Sequence, residues 1–471
     1  MQWLLLALWT TLAAADRVSV ECIPKDHSLV NTGINRAVVS IAAPQRSNMF
    51  INMSVQNTTF KVSINAAASD LFVPVVGIND YTGQTINISP TGPTQTVSII
   101  ENDVNTGFGF QGTVSIPGTQ LNSSNAPIFG IKSQDTNTLP IYTANQGYFG
   151  LGYPQGAKYV ANPPTVVDAF ISSGNMIKNE IALQMCSPVF SSLAYIDIGN
   201  SQPSTKCGSN GIPTIWASSP DRSSISLNVK AVTVNSNPIP FPASFQMGTG
   251  AAKWSQIDTI QSVILLPSSM FSIFVNALIG SGGLPPDLLQ SSNLSPFLFG
   301  ETVYRPAYTI FWYNLPTISF DIVSNQIGPD GINNATLRIT LGPHQYIIKD
   351  AQGNFFMGIS IGDDSKVVFG QSFLYSLNVV LDRANGYIGF SPGCACQTNV
   401  DGFPIIQPPN AGSIPSGIVS SGNSTTTTST ASQTAQSTQT AVVSSARKAA
   451  IPSGLGLSFI STLLVSIILL A

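Results

Sequence analysis

Residues able to do acid–base, thiol or metal chemistry are sparse in this chain, so those that recur at matching places stand out. Two stretches read alike. The first is FKVSI, then Asn65-Ala66-Ala67-Ala68-Ser69-Asp70, then LFVP. The second is WSQI, then Asp258-Thr259-Ile260-Gln261-Ser262, then VILLP. Each carries a strand, a short turn and a second apolar segment ending in Pro. Each is followed later by an aromatic-Gly segment, YFGLGYP at 148–154 and VVFGQSF at 367–373. Asn65 and Asp258 head the two turns. A carboxylate can accept a proton from water, whereas an amide has no titratable proton, so general-base chemistry at such a pair falls on Asp258 alone. A repeat of this kind implies two similar lobes facing each other across a cleft.

Other chemistries find little support. The two histidines, His27 and His344, have no ligand spacing around them and read as surface or loop residues, so no metal and no cofactor is expected. The five cysteines are Cys22, Cys186, Cys207, Cys394 and Cys396, an odd number for an oxidising compartment. Cys186 to Cys207 closes a short loop and is the best pair. Cys22 is expected to join Cys394 or Cys396 if the first and last strands lie side by side, and one thiol is left over.

The elements that must position these residues are mainly strands. Only 9% of the 471 residues are charged, which excludes long charged helices and coiled coils. With 19 Lys and Arg against 22 Asp and Glu there is no basic surplus for a phosphate backbone, so nucleic acid is not an expected partner. From about residue 36 to 392, short apolar or alternating runs (LFVPVV, TVSII, GTVSI, SISLNVKAVTV, TISFDIV, TLRITL, LNVVLD) are broken by Gly, Pro, Asn and Ser. Helices are expected only over 165–173 and 267–278, the second with Pro267 at its start. The expected division is an N-terminal β lobe over 16–213 and a C-terminal β lobe over 214–400.

Both ends read as addresses. The apolar run of residues 1–12 followed by Ala13-Ala14-Ala15 predicts a secretory signal peptide over 1–15, against the alternative of a buried first element. Residues 401–447 form a Ser/Thr-rich stalk or linker with no aromatic residue between 416 and 445. The small residues Ser444 and Ser445, a polar spacer and the apolar 455–471 match a GPI-attachment signal over 448–471, with Ser444 or Ser445 as attachment site and a membrane-spanning tail as the competing reading. The implied location is the outer face of the plasma membrane or the cell wall. Seven glycosylation sequons, at Asn52, Asn57, Asn87, Asn122, Asn293, Asn334 and Asn423, agree with that route.

Over residues 36–393 the chain resembles the pepsin-like aspartic peptidases, in the form of a secreted, GPI-anchored, fungal-type member with a degenerate active site. The resemblance rests on VVFGQSFLYSLNVVLDRANGYIGFSP near the end of the core, Gly150-Leu151-Gly152-Tyr153-Pro154, NLPTISFDI at 314–322 and the strand entry Ser69 to Pro74. It implies an all-β, bilobal acid-protease fold: two duplicated β lobes, a central cleft and a few short helices.

In that family each lobe supplies an Asp-Thr/Ser-Gly-Ser/Thr loop, and the two aspartates share a proton and activate water. Carried onto this chain, the first dyad position is the substituted Asn65 and the second is the retained Asp258. Ala66 lacks the hydroxyl that bonds across to the other lobe in the family, and Thr259 is the turn residue that follows Asp258. Ala67 and Ile260 stand where the family has Gly, and a β-branched Ile there is expected to crowd the water site or reshape the turn. The segment matching the family's flap, 99–112, has no Tyr, leaving Phe108 and Phe110 as candidates to cover the cleft.

No catalytic residue is therefore assigned, and the enzyme reading leans negative. The expectation is a surface-displayed pseudoprotease that holds a peptide or protein partner in its cleft. The alternatives are an active or weakly active secreted acid endopeptidase, in which Asp70 or Asp103 would have to reach Asp258, and a structural surface or wall glycoprotein.

Overall fold

The computed structural model describes residues 16–25, 46–78, 81, 83–90, 92–98, 104–134, 146–158, 164–176, 178–186, 194–199, 214–292, 294–300, 304, 309–325, 335–349, 354–393 and 401–408, with backbone alone for 16–25, 46–48 and 251–252. These residues belong to a unit that ends at Ser413, and the separate unit 414–471 lies outside them.

The architecture is all-β and bilobal, and the sequence repeat is a structural one. In the first half, Thr58–Asn65 runs parallel to Tyr148–Gly150, which is antiparallel to Leu71–Pro74, which is parallel to Asn122–Gln134. In the second half, Ser255–Ile257 runs parallel to Val368–Phe369, which is antiparallel to Ile264–Pro267, which is parallel to Ile359–Gly362. Order and direction are the same. Leu71–Pro74 is buried at every position, which is why it reads as an unbroken apolar run. Along Asn105–Ser115, Phe108, Phe110 and Val114 point inward and Gln111 and Thr113 outward, the period of a strand with one wet face.

Asn65 pairs with Gly150, and the register that pairs Ile257 with Phe369 sets Asp258 beside Gly370. Glycine is required at both places because the turn folds back onto it. A Cβ on Gly150 would lie 2.5 Å from the carbonyl carbon of Ser69, and one on Gly370 would run into the backbone oxygens of Val263 and Gln261.

A shared sheet joins the halves. Its antiparallel strands run in the order Ile215–Ser218, Tyr387–Pro392, Leu377–Asp382, Glu180–Met185, Ala194–Ile198, Asp16–Lys25. Arg383, only 3% exposed, reinforces the joint. Its Nη1 donates to Asp168 Oδ1 at 2.9 Å and Asn179 Oδ1 at 2.7 Å, and its Nη2 to the Gly152 carbonyl at 2.9 Å and Thr165 Oγ1 at 3.0 Å. The same Thr165 and Asp168 form the capping box that starts α1, Val166–Ser172.

Both expected helices are present, α1 and, directly after Pro267, α2 at Ser268–Gly280. Among the described residues, four more α-helices (Pro286–Leu289, Leu294–Leu298, Pro343–Tyr346 and Gln371–Leu374) are too short to leave a periodic signal.

Two expectations are corrected. The linker does not begin at 401, because Ile405–Gln407 adds an antiparallel strand to Thr336–Leu341, with Ile406 opposite Ile339. The first and last strands of the core are not neighbours: Asp16–Lys25 pairs with Ala194–Ile198 and Arg46–Val55, Tyr387–Pro392 with Leu377–Asp382 and Ile215–Ser218. The adjacency on which a Cys22 pairing with Cys394 or Cys396 was premised is therefore absent. Cys186 is disulfide-bonded, while Cys207, Cys394, Cys396 and the Cys22 side chain lie outside the described residues.

Candidate active site

The two turns expected to carry chemistry meet. Thr259 Oγ1 accepts from the Ala66 N–H at 3.0 Å and donates to the Ile64 carbonyl at 2.6 Å, so one hydroxyl of the second half bonds to both sides of Asn65 in the first. At the head of each turn a side-chain oxygen accepts from the backbone two residues on: Asn65 Oδ1 from Ala67 N at 2.8 Å, Asp258 Oδ1 from Ile260 N at 2.9 Å and, longer, Gln261 N at 3.4 Å. Asn65 and Asp258 therefore occupy equivalent positions in equivalent turns. They are not chemically equivalent. With its oxygen accepting from the turn, Asn65 offers an amide nitrogen that donates and a neutral carbonyl that does not act as a base, so neither atom takes a proton from water. Asn65 is 1% exposed.

Ile260 takes an unexpected path. It is 6% exposed and belongs to a buried apolar cluster otherwise built from the first half: Ala68, Phe72, Ile78, Val97, Phe129, Ile131 and Tyr148. A side chain from the second turn thus fills space against the wall of the opposite half. Behind the turn, Gln371 is fully buried and its Nε2 donates to the Thr259 carbonyl at 2.7 Å. Sequence reasoning overlooked Gln371, although a polar residue at the place held by Leu151 in the first half was a usable signal.

Asp70 does not complete a dyad. Its Oδ2 accepts from the backbone N–H of Lys158 at 2.8 Å. Burial pushes this carboxyl up to about 6 from its ordinary 3.8, opposed in part by the Lys158 N–H and the Lys158 charge. Its partner therefore lies within the first half, beyond the Gly150-Leu151-Gly152 turn. Asp103 lies outside the described residues.

Phe108 and Phe110, expected as covers of the cleft, are corrected to core residues. They are 1% and 6% exposed, belong to the main hydrophobic core, and sit on a strand paired along its length with Asn122–Gln134. The flap-like residues 99–103 lie outside the described residues.

Of the sequon asparagines, Asn52, Asn57, Asn87 and Asn122 are exposed, and Asn293, Asn334 and Asn423 lie outside the described residues, as do Ser444 and Ser445. No group of three or more His, Cys, Asp or Glu among the described residues could hold a metal, and none of the described helices is long and apolar enough to cross a membrane.

Comparison with curated proteins finds no match. The family model described as eukaryotic aspartyl protease matches residues 50–393, a span that holds both turns, both glycine backstops and most of the shared sheet. The chain belongs to the eukaryotic aspartyl protease family, the pepsin-like aspartic proteases.

Proposed function

We propose that this protein is a catalytically silent member of its family, displayed at the outer cell surface by a GPI anchor on a glycosylated stalk, and that it keeps the pepsin fold as a scaffold for a peptide or protein partner. The observation that carries the reading is Asn65. It stands in the position equivalent to Asp258 and its one acceptor oxygen is bonded to Ala67 N. A water held there meets one carboxylate and one amide, and no proton can be shared between two acids.

Ile260 supports the same conclusion by a separate route. Its side chain occupies room against the first half's apolar wall, in place of a glycine that would leave that room open. A binding role needs neither a second carboxylate nor a glycine, because an extended peptide is held by main-chain hydrogen bonds and side-chain pockets.

The deciding experiment incubates the purified protein with a mixed peptide library between about pH 3 and 6, where a carboxylate dyad operates, beside an Asp258→Ala control. The expected result is no cleavage above the control, with the same library then screened for retained peptides. Cleavage that disappears in Asp258→Ala would overturn the reading. For the anchor, phosphatidylinositol-specific phospholipase C should release the protein from intact cells, and a Ser444→Pro/Ser445→Pro variant should fail to reach the surface.

A further inference from the structure

A second site lies in the C-terminal half, closed by a segment that extends past the family match. The short turn Trp312–Asn314 presents two aromatic side chains. The indole of Trp312 stacks on the ring of His344, centroids 3.9 Å apart and planes 16° from parallel. Tyr313 is 94% exposed. From the other side, Asp401 brings Oδ2 to 2.7 Å from His344 Nδ1, its Oδ1 accepts from the Phe403 N–H at 3.2 Å, and Gln345 Nε2 holds the Phe403 carbonyl at 3.0 Å. Between them is a cavity of about 190 Å³ lined by Trp312, Tyr313, Thr317, His344, Asp401, Phe403 and the apolar Leu315 and Pro343.

The chemistry of this lining selects a class of ligand. A carboxylate can only accept, so the hydrogen of the His344–Asp401 bond sits on Nδ1. Nε2 is then an acceptor when the ring is neutral and a donor when it is protonated. It has no hydrogen-bond partner among the described residues, and neither has the Thr317 hydroxyl. A ligand hydroxyl can donate or accept and matches either state of the ring, which an ammonium or a phosphate does not. When His344 is protonated the pair carries no net charge; when it is neutral the Asp401 carboxylate stays negative, but its Oδ2 is engaged by His344 Nδ1–H and its Oδ1 by the Phe403 N–H.

The rest of the lining is aromatic and apolar. The volume exceeds the roughly 150 Å³ of a cavity that accommodates a benzene ring, room for a single six-membered ring with its substituents. An amphipathic ring with an apolar C–H face and a rim of hydroxyls fits that combination of flat aromatic surface and polar edge.

We propose that this pocket binds a neutral pyranose, with the sugar's C–H face against the ring of Tyr313, beside the edge of the Trp312 indole, and its hydroxyls toward His344 Nε2 and Thr317 Oγ1. Free oligosaccharides and protein-linked glycans present the same ring, and the test separates them. The full-length protein is titrated by saturation-transfer NMR with the methyl glycosides of glucose, galactose, mannose and N-acetylglucosamine, and in a second arm with a glycopeptide ending in these sugars. Choline and inorganic phosphate serve as charged probes.

Saturable binding of at least one neutral sugar is expected, weakened at least about tenfold, equivalent to about 1.4 kcal/mol, in Tyr313→Ala, whose near-complete exposure makes misfolding no concern. His344→Gln should weaken it as well. Binding confined to the glycopeptide arm supports the proposal and assigns glycans on proteins. The proposal is overturned if no sugar binds in either arm, if binding is unchanged in Tyr313→Ala, or if choline or phosphate binds and the sugars do not. None of these outcomes depends on whether Asp258 is catalytic.

Discussion

Thr259 bonds to the first half on both sides of Asn65, accepting from Ala66 N and donating to the Ile64 carbonyl, while Ala66 returns nothing across the interface because its side chain is a methyl. In a symmetric pair of turns a hydroxyl at 66 would make the reciprocal two bonds to the second turn. Here only the Thr259 pair is made, so the hydrogen bonding between the two turns among the described residues rests on a single buried side chain, with Ile260 adding apolar contact beside it.

Thr259→Val keeps the shape of the side chain and leaves the Ala66 N–H and Ile64 carbonyl without it. The expected loss is about 2–6 kcal/mol, since each of the two buried groups left unsatisfied costs about 1–3 kcal/mol. Thr259→Ser, which keeps the hydroxyl, should lose much less. Urea unfolding of the two variants side by side separates the hydrogen bonds from the packing.

Ile260→Ala should lower stability by about 2–5 kcal/mol, the usual cost of truncating a large aliphatic side chain in a packed core. A side chain projecting into an open, water-filled cleft would change stability by no more than about 0.5 kcal/mol. The size of the loss, read from the denaturation midpoint at constant slope, therefore reports whether the cleft wall is filled in solution.

Asn65→Asp alone should not produce a peptidase. It restores a carboxyl, but Ile260 and Ala67 still occupy glycine positions and the space around a nucleophilic water is unchanged. Library cleavage between about pH 3 and 6 should stay at the level of Asp258→Ala. A clear rise in the single variant would mean that Ile260 does not obstruct the site.

Asp70 makes stability depend on pH in a defined direction. A carboxyl that titrates at about 6 folded and near 3.8 unfolded binds more protons in the native state between those values, so stability is highest at the acid end and falls as pH rises from about 4 to about 6. The drop is on the order of 3 kcal/mol at most. Asp70→Asn keeps an oxygen to accept from Lys158 N and should flatten the slope over this window in urea titrations at fixed pH steps. An unchanged slope would assign it to another group.

Arg383→Met should cost about 3–5 kcal/mol, because it strips the cation from Asp168 and the donors from Asn179, Gly152 and Thr165 in a buried site. The effect should exceed that of removing a surface ion pair such as Lys178–Glu180, which is worth roughly 0–1 kcal/mol.

By itself the sequence determined the repeat, and with it the equivalence of Asn65 and Asp258, because the pattern of strand, turn and returning aromatic-Gly segment is local and written twice. It determined α1 and α2 for the same reason: a Thr165–Asp168 capping box and a proline at a helix start act within one turn of chain. Only the tertiary structure decided where Ile260 goes, that Asp70 answers to Lys158, and that Phe108 and Phe110 belong to the core. It alone also showed that Arg383 ties the halves together and that residues 401–407 fold back to pair with Thr336–Leu341 and set Asp401 against His344. Each of these depends on which distant segment lies opposite a side chain. A strand pattern states that one face is buried, and the fold alone decides what it is buried against.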